Sequence, residues 1–126
     1  MALTKDEIVR GLHEFLQEEQ IVTDETVLKE SSLDRYRKFE QVHEVSTQPT
    51  PAAVVYVEST AEVQKLLAFA NANGINVVPR TGHSAIEGGL ETAVENSIVI
   101  DGSHMNKVLK VDKYNMQVTC QCGVPL

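Results

Sequence analysis

Between Ala53 and Pro79 the chain carries a strand, a capped helix and a second strand with almost no spare residues. Ala53-Val54-Val55-Tyr56-Val57 is a short β-branched run that reads as a buried strand. Ser59 and Glu62 have the spacing of a capping box, Val63, Leu66, Leu67 and Ala70 make one apolar stripe, and Gly74 after Asn73 is a helix stop. Ile75 to Val78 is the next apolar run, and Pro79 is expected to end it. Two strands joined through a helix in so few residues predict a parallel βαβ unit with a right-handed crossover. Few other arrangements can follow from this segment.

The flanking segments complete an α+β chain. Upstream, residues 1–50 read as a helical lead-in. Thr4 and Glu7 form a capping box, and Ile8, Leu12, Phe15 and Leu16 share one face of a helix predicted from Thr4 to Glu19. Gly11 costs that helix about 1 kcal/mol relative to Ala, so tertiary packing must support it. Thr23-Asp24-Glu25 opens a short second helix, Ser31 to Lys38 holds a further turn, and Val42 to Pro51 reads as an extended connection. Downstream, Ser97 to Asp101, Val108 to Asp112 and Met116 to Cys122 read as strands. The short turns between them predict antiparallel neighbours.

With 126 residues the chain is long enough for one domain. Its net charge of −7, without a Lys/Arg cluster, argues against a nucleic-acid duplex or an anionic membrane as main partner. No apolar run is long enough to span a bilayer, and the acidic first residues do not resemble a signal peptide. A cytoplasmic location is expected. Cys120 and Cys122 are two residues apart on a strand, where parallel side chains bridge poorly, and no His or third Cys is near to complete a zinc shell. They read as small, partly buried strand residues in a reducing compartment, and no metal site is expected.

Local structure does not account for the segment from Pro79 to Gly89. It is a polar loop with three glycines at the carboxyl end of a parallel strand, where α/β sheets collect ligands. Glycines there let backbone N–H groups approach an anion, Arg80 brings a fixed charge and Ser84 a hydroxyl. The loop is neither a P-loop, because Gly88 is followed by Gly89-Leu90 and not by Lys, nor a Rossmann turn, because Gly82, Gly88 and Gly89 miss the G-x-G-x-x-G spacing. Local physics supports a structural turn as well as a phosphate cradle.

The run Pro79-Arg80-Thr81-Gly82-His83-Ser84-Ala85-Ile86-Glu87-Gly88-Gly89 resembles the P-R-G-G-G-T-S-x-x-G-G loop of FAD-linked oxidases of the vanillyl-alcohol oxidase/p-cresol methylhydroxylase type. The likeness is to the branch of the glycolate oxidase D-subunit and D-lactate dehydrogenase. Pro51-Ala52-Ala53-Val54-Val55 resembles that family's P-x-A-V-V strand, and Ser59 to Val63 its S-x-x-E-V helix start. Ile100-Asp101 with Met105-Asn106 is similar to its I-D-x-x-x-M-N segment, and Val118 to Val124 to its V-x-x-Q-A-G-V strand. Ordered matches therefore run from Pro51 to Leu126, the N-terminal portion of such an FAD-binding domain.

The resemblance implies that Pro79, Arg80, Thr81, Gly82, His83 and Ser84 wrap the FAD diphosphate, with Gly88 and Gly89 beneath the cofactor and Gly123 close to the flavin or its ribityl chain. Thr81 and His83 stand where the family has glycine, which implies strained φ values there. His83 lies one place before the histidine through which berberine-bridge-type enzymes attach FAD, so it is expected to donate a hydrogen bond or face solvent. His13, His43 and His104 are expected to be exposed or structural, Met105 to be core and Glu87 solvated. Asp101 has two readings, a cap for the turn that follows it and a cofactor contact.

By resemblance the parent is an FAD-dependent 2-hydroxy-acid oxidase or dehydrogenase of several hundred residues. The chain is then an N-terminal piece without catalytic residues, inactive alone and prone to self-association through uncovered apolar surface. Two alternatives stay open: a non-enzymatic α+β ligand-binding or assembly module, and an FAD domain like that of UDP-N-acetylenolpyruvoylglucosamine reductase.

Overall fold

The computed structural model describes residues 2–45 and 47–125; Met1, Ser46 and Leu126, each within a segment discussed above, lie outside the described residues. Helix α1 (Lys5–Leu12) starts on the expected reciprocal cap, the Thr4 side chain accepting from the Glu7 amide and the Glu7 carboxylate from the Thr4 amide at 2.8 Å. It stops at Leu12, short of the predicted Glu19. The amides of Phe15 and Leu16 still bond back to Leu12, so Leu16 is buried with Ile8 and Leu12. Gly11 is explained by packing: a Cβ there would lie 2.5 Å from the Phe69 ring. A 3-10 turn, Glu18–Gln20, then leads into β1 (Ile21–Val22), a strand too short for its periodicity to be read.

Asp24 caps α2 (Glu25–Glu30) by accepting from the amides of Thr26 and Val27. One 3-10 turn (Arg35–Arg37) and α3 (Lys38–Val42) follow. In α4 (Thr60–Asn73) the Ser59 hydroxyl accepts from the Glu62 amide, but the box is not closed. The Glu62 carboxylate accepts instead from the Glu58 amide at 2.8 Å and from Gln20 Nε2 at 2.9 Å, which ties α4 to the turn before β1. Gly74 ends the helix at φ +64°. Leu66 and Ala70 are buried, whereas Leu67, turned about 100° from Leu66, is exposed.

The main sheet runs β1-β2-β4-β3, built from β1, β2 (Ala53–Tyr56), β4 (Ile98–Asp101) and β3 (Val77–Arg80). β2 and β3 are both parallel to β4, which lies between them, and β1 is antiparallel to β2. Two expectations are corrected. Ile98–Asp101 is not an antiparallel neighbour of the next strand: all four of its residues are buried, which suits a central parallel strand covered on both faces. Pro79 does not end β3 but sits within it, because β3 is an edge strand and lacks a neighbour on its outer side.

The alternation of side chains divides the core. Ala53, Val55, Ile98 and Ile100 pack with α1 and with Leu66 on one face, and Val54, Val99 and Val78 with Leu28 of α2 on the other. β5 (Val108–Asp112) and β6 (Gln117–Cys120) form a separate antiparallel hairpin whose apolar side chains are largely exposed. Cys120, on the hairpin, and Cys122, in the turn after it, are free and exposed, contrary to the part-buried expectation. The α+β class holds.

Candidate functional site

Because β2, β4 and β3 run parallel, their carboxyl ends open at one edge, and the connection from β3 to β4 begins there with Thr81. Arg80 and Asp101 are register partners on the last rung of β3 and β4. Their side chains meet as a buried ion pair, Nε 2.8 Å from Oδ2, and Arg80 Nη1 also donates to the Ser31 hydroxyl at 2.9 Å. Asp101 Oδ1 accepts from the Ser103 amide at 2.9 Å, so this residue does cap the turn after β4. Burial pushes its carboxyl up, but hydrogen bonds from Ser103, His83 and Arg80 outweigh burial and hold it below the ordinary value. The charge of Arg80 is thus neutralised locally, although the residue still borders the cleft described below.

His83 donates from Nε2 to the same Asp101 oxygen at 2.9 Å, and its backbone is left-handed at φ +51°. Thr81, the other non-glycine substitution in the loop, has no positive φ. A left-handed non-glycine residue costs on the order of 1 kcal/mol, so the Asp101 anchor holds His83 in a conformation that glycine would adopt freely.

Beyond Arg80 the chain turns outward. Among the described residues, the amides of residues 81–87 donate to no protein group, and Thr81, Gly82, His83 and Ser84 are exposed. Past that run two amides are occupied: Gly88 N–H donates to Asp34 Oδ2 at 2.8 Å, and Leu90 N–H to the same oxygen at 3.5 Å. A cleft of about 350 Å³ lies alongside, lined by Ser31, Asp34, Arg35, Arg80, His83 and Leu90 among others.

Seven adjacent unpaired amides at the carboxyl edge of a parallel sheet suit the diphosphate of a dinucleotide, whose oxygens are acceptors only. The glycines agree in part. A Cβ at Gly82 would meet nothing closer than Ser84 Oγ at 3.8 Å, and one at Gly89 nothing closer than Ala85 Cβ at 3.6 Å, so packing within the chain does not demand glycine at either position. Gly88 has φ +90°, which demands it. Gly123 is crowded by the protein itself: its Cβ would fall 2.3 Å from the carbonyl oxygen of Gly102, and its N–H donates to Met105 O at 2.8 Å.

Asp34 and Ser31 escaped the sequence reading. The signals were a short acid-bearing turn, Ser31-Ser32-Leu33-Asp34, and a loose resemblance of Ser32-Leu33-Asp34 to the family's variable lead-in, and no spacing rule connects either to a loop over 50 positions away. His104 also has partners that were not foreseen, stacking on Tyr56 at 5.0 Å and facing Glu58 at 3.9 Å. Met105 is core and Glu87 exposed, as expected. Among the described residues, no group of three or more His, Cys, Asp or Glu could hold a metal ion, and no helix is long and apolar enough to cross a membrane.

The sequence profile of the FAD binding domain family matches residues 51–126. Over all 126 residues the chain is 56% identical to YgcU of Escherichia coli K12, an uncharacterised FAD-linked oxidoreductase, and spans 26% of that protein's length. Over 85 residues, 66% of this chain and 14% of the relative, it is 35% identical to the mitochondrial D-lactate dehydrogenase [cytochrome] 1 of Saccharomyces cerevisiae. Among solved structures, alkyldihydroxyacetonephosphate synthase superposes with a TM-score of 0.82 at 28% identity, covering 98% of this chain and 25% of the synthase. A substrate-bound p-cresol methylhydroxylase shares the fold, with a TM-score of 0.70 at 17% identity over 94% of this chain and 22% of that enzyme.

Proposed function

The chain belongs to the FAD binding domain family, and on that premise we propose that its loop from Pro79 to Gly89 holds the FAD diphosphate within a longer 2-hydroxy-acid dehydrogenase. The observation that carries this reading is the run of unpaired amides from 81 to 87, exposed at the sheet edge beside the cleft. In the proposed arrangement these amides, with the Ser84 hydroxyl, donate to the diphosphate oxygens. Arg80 and His83 shape the loop through Asp101 rather than neutralising the phosphates directly. Gly82 and Gly89 are glycine because a side chain there would stand where the cofactor passes. Gly123 keeps the turn after β6 pressed on the Gly102 turn and so borders the site at one remove.

Bound flavin supplies a two-electron acceptor, which suits removal of a hydride from the α-carbon of a small 2-hydroxy acid such as glycolate or D-lactate. The kinship with D-lactate dehydrogenase supports that substrate class over a reductase of the UDP-N-acetylenolpyruvoylglucosamine type. Family membership, for its part, favours a flavin site over a non-enzymatic ligand-binding or assembly module. None of the loop residues named above is assigned a proton-abstracting role, and in this reading the chain alone is inactive. Two exposed free thiols suit a reducing, cytoplasmic compartment, and the exposed hairpin suits self-association of the isolated chain.

The test is made in the full-length protein with Gly82→Val and Gly89→Val. Both variants should fold yet lose most flavin absorbance per mole of protein. Anaerobic addition of D-lactate or glycolate to the parent should bleach its flavin. Retention of flavin by both variants would refute the loop assignment, and an unbleached flavin would refute the substrate class.

A further inference from the structure

Four lead-in residues between 31 and 37 hold the loop region, although the lead-in lies outside the stretch that the family profile matches. Ser31 holds Arg80. The Ser32 carbonyl accepts from the Thr92 amide at 3.3 Å. Asp34 takes the amides of Gly88 and Leu90. Arg37 pairs with Glu91, and with Glu40 at 2.9 Å. The contacts follow one another in sequence on the lead-in side, from 31 to 37, and span residues 80 to 92 on the other.

Asp34 is the centre of this clasp. Its residue is 2% exposed, its Oδ1 accepts from the Arg35 amide, and its Oδ2 faces the glycine turn. A buried carboxylate is retained only where donors compensate its desolvation, and here two of those donors are the backbone of the loop itself. The turn they hold is the one in which Gly88 adopts φ +90°. Without the carboxylate, nothing among the described contacts takes up the Gly88 and Leu90 amides, and between His83, held by Asp101, and Glu91, held by Arg37, the loop loses its one side-chain anchor to the lead-in.

We propose that Asp34 is a positioning residue for the cofactor loop: by gripping the Gly88–Leu90 turn it pre-shapes the amides of 81–87, making the lead-in a working part of the FAD site. This rests on the assignment of the loop to FAD given above. Asp34 does not touch the cofactor in this account. It lowers the ordering cost that binding would otherwise have to meet.

The experiment uses full-length protein freed of flavin, with Asp34→Ala and Asp34→Asn beside the parent and Gly88→Val. FAD affinity is read by fluorescence titration, and amide hydrogen exchange is followed at Gly88 and Leu90. Asp34→Ala should speed exchange at both amides and weaken FAD binding by tenfold or more, with Asp34→Asn intermediate, since its one carbonyl oxygen can still accept from Gly88. Affinity within twofold of the parent in Asp34→Ala would overturn the proposal. In that case loss of FAD by Gly88→Val would leave the loop assignment standing, and retention would remove that too. If Asp34→Ala does not fold, Asp34→Asn carries the test, and unchanged affinity there overturns the proposal. Failure of both variants to fold would overturn it as well, leaving a carboxylate needed only for stability.

Discussion

Arg80 and Asp101 face each other across the last rung of two parallel strands, their side chains paired at 2.8 Å and almost wholly buried. The same Asp101 oxygen holds His83, three residues into the loop, so one carboxylate joins the end of the sheet to the start of the proposed cofactor cradle.

Asp101→Asn should cost about 3 kcal/mol at neutral pH, because it leaves the Arg80 guanidinium buried without its counter-charge. The pH dependence has a definite sign. The folded carboxyl titrates below its ordinary value of 3.8, so its contribution is fully present above that value and is lost as pH falls through the folded pKa. Urea unfolding should show a parent-to-variant gap that is constant at neutral pH and narrows below about pH 4.

Gly11→Ala tests packing against helix propensity. Propensity alone predicts a gain of about 1 kcal/mol, whereas a methyl group 2.5 Å from the Phe69 ring predicts overpacking of about 1–3 kcal/mol. The clash should win, so the melting temperature should fall rather than rise.

Gly123→Ala and Gly89→Ala should part company. The first places a methyl group 2.3 Å from a backbone oxygen and should destabilise the chain, with the hairpin loosening from the Gly102 turn. The second meets only ordinary contact at 3.6 Å and should leave stability within about 0.5 kcal/mol. Thermal unfolding without flavin measures both.

On the hairpin, Val111 and Val118 are cross-strand partners and both exposed, beside exposed Leu109 and Met116. Val111→Lys with Val118→Lys should shift the isolated chain toward monomer in sedimentation velocity, while the parent associates as concentration rises.

The parts of this fold that could be read in the sequence are those set by neighbours along the chain. The Thr4 cap, the Asp24 start and the Gly74 stop each depend on a few consecutive residues, and each is formed. Placing β4 between β2 and β3 depends on pairings across more than 20 residues, which no local pattern encodes. The site divides in the same way. The glycine loop was visible as a motif, and the left-handed His83 followed from its departure from glycine. Asp34 was not visible, because its partners lie 54 and 56 positions downstream and its own surroundings resemble an ordinary turn.

The central claim is that the amides of residues 81–87 bind the FAD diphosphate, and amide hydrogen exchange of the full-length protein with and without FAD tests it most directly. Saturating FAD should slow exchange across 81–87 by tenfold or more, while the Gly88 amide, already bonded to Asp34, changes far less. Tight flavin binding with exchange at 81–87 unaltered would contradict the account.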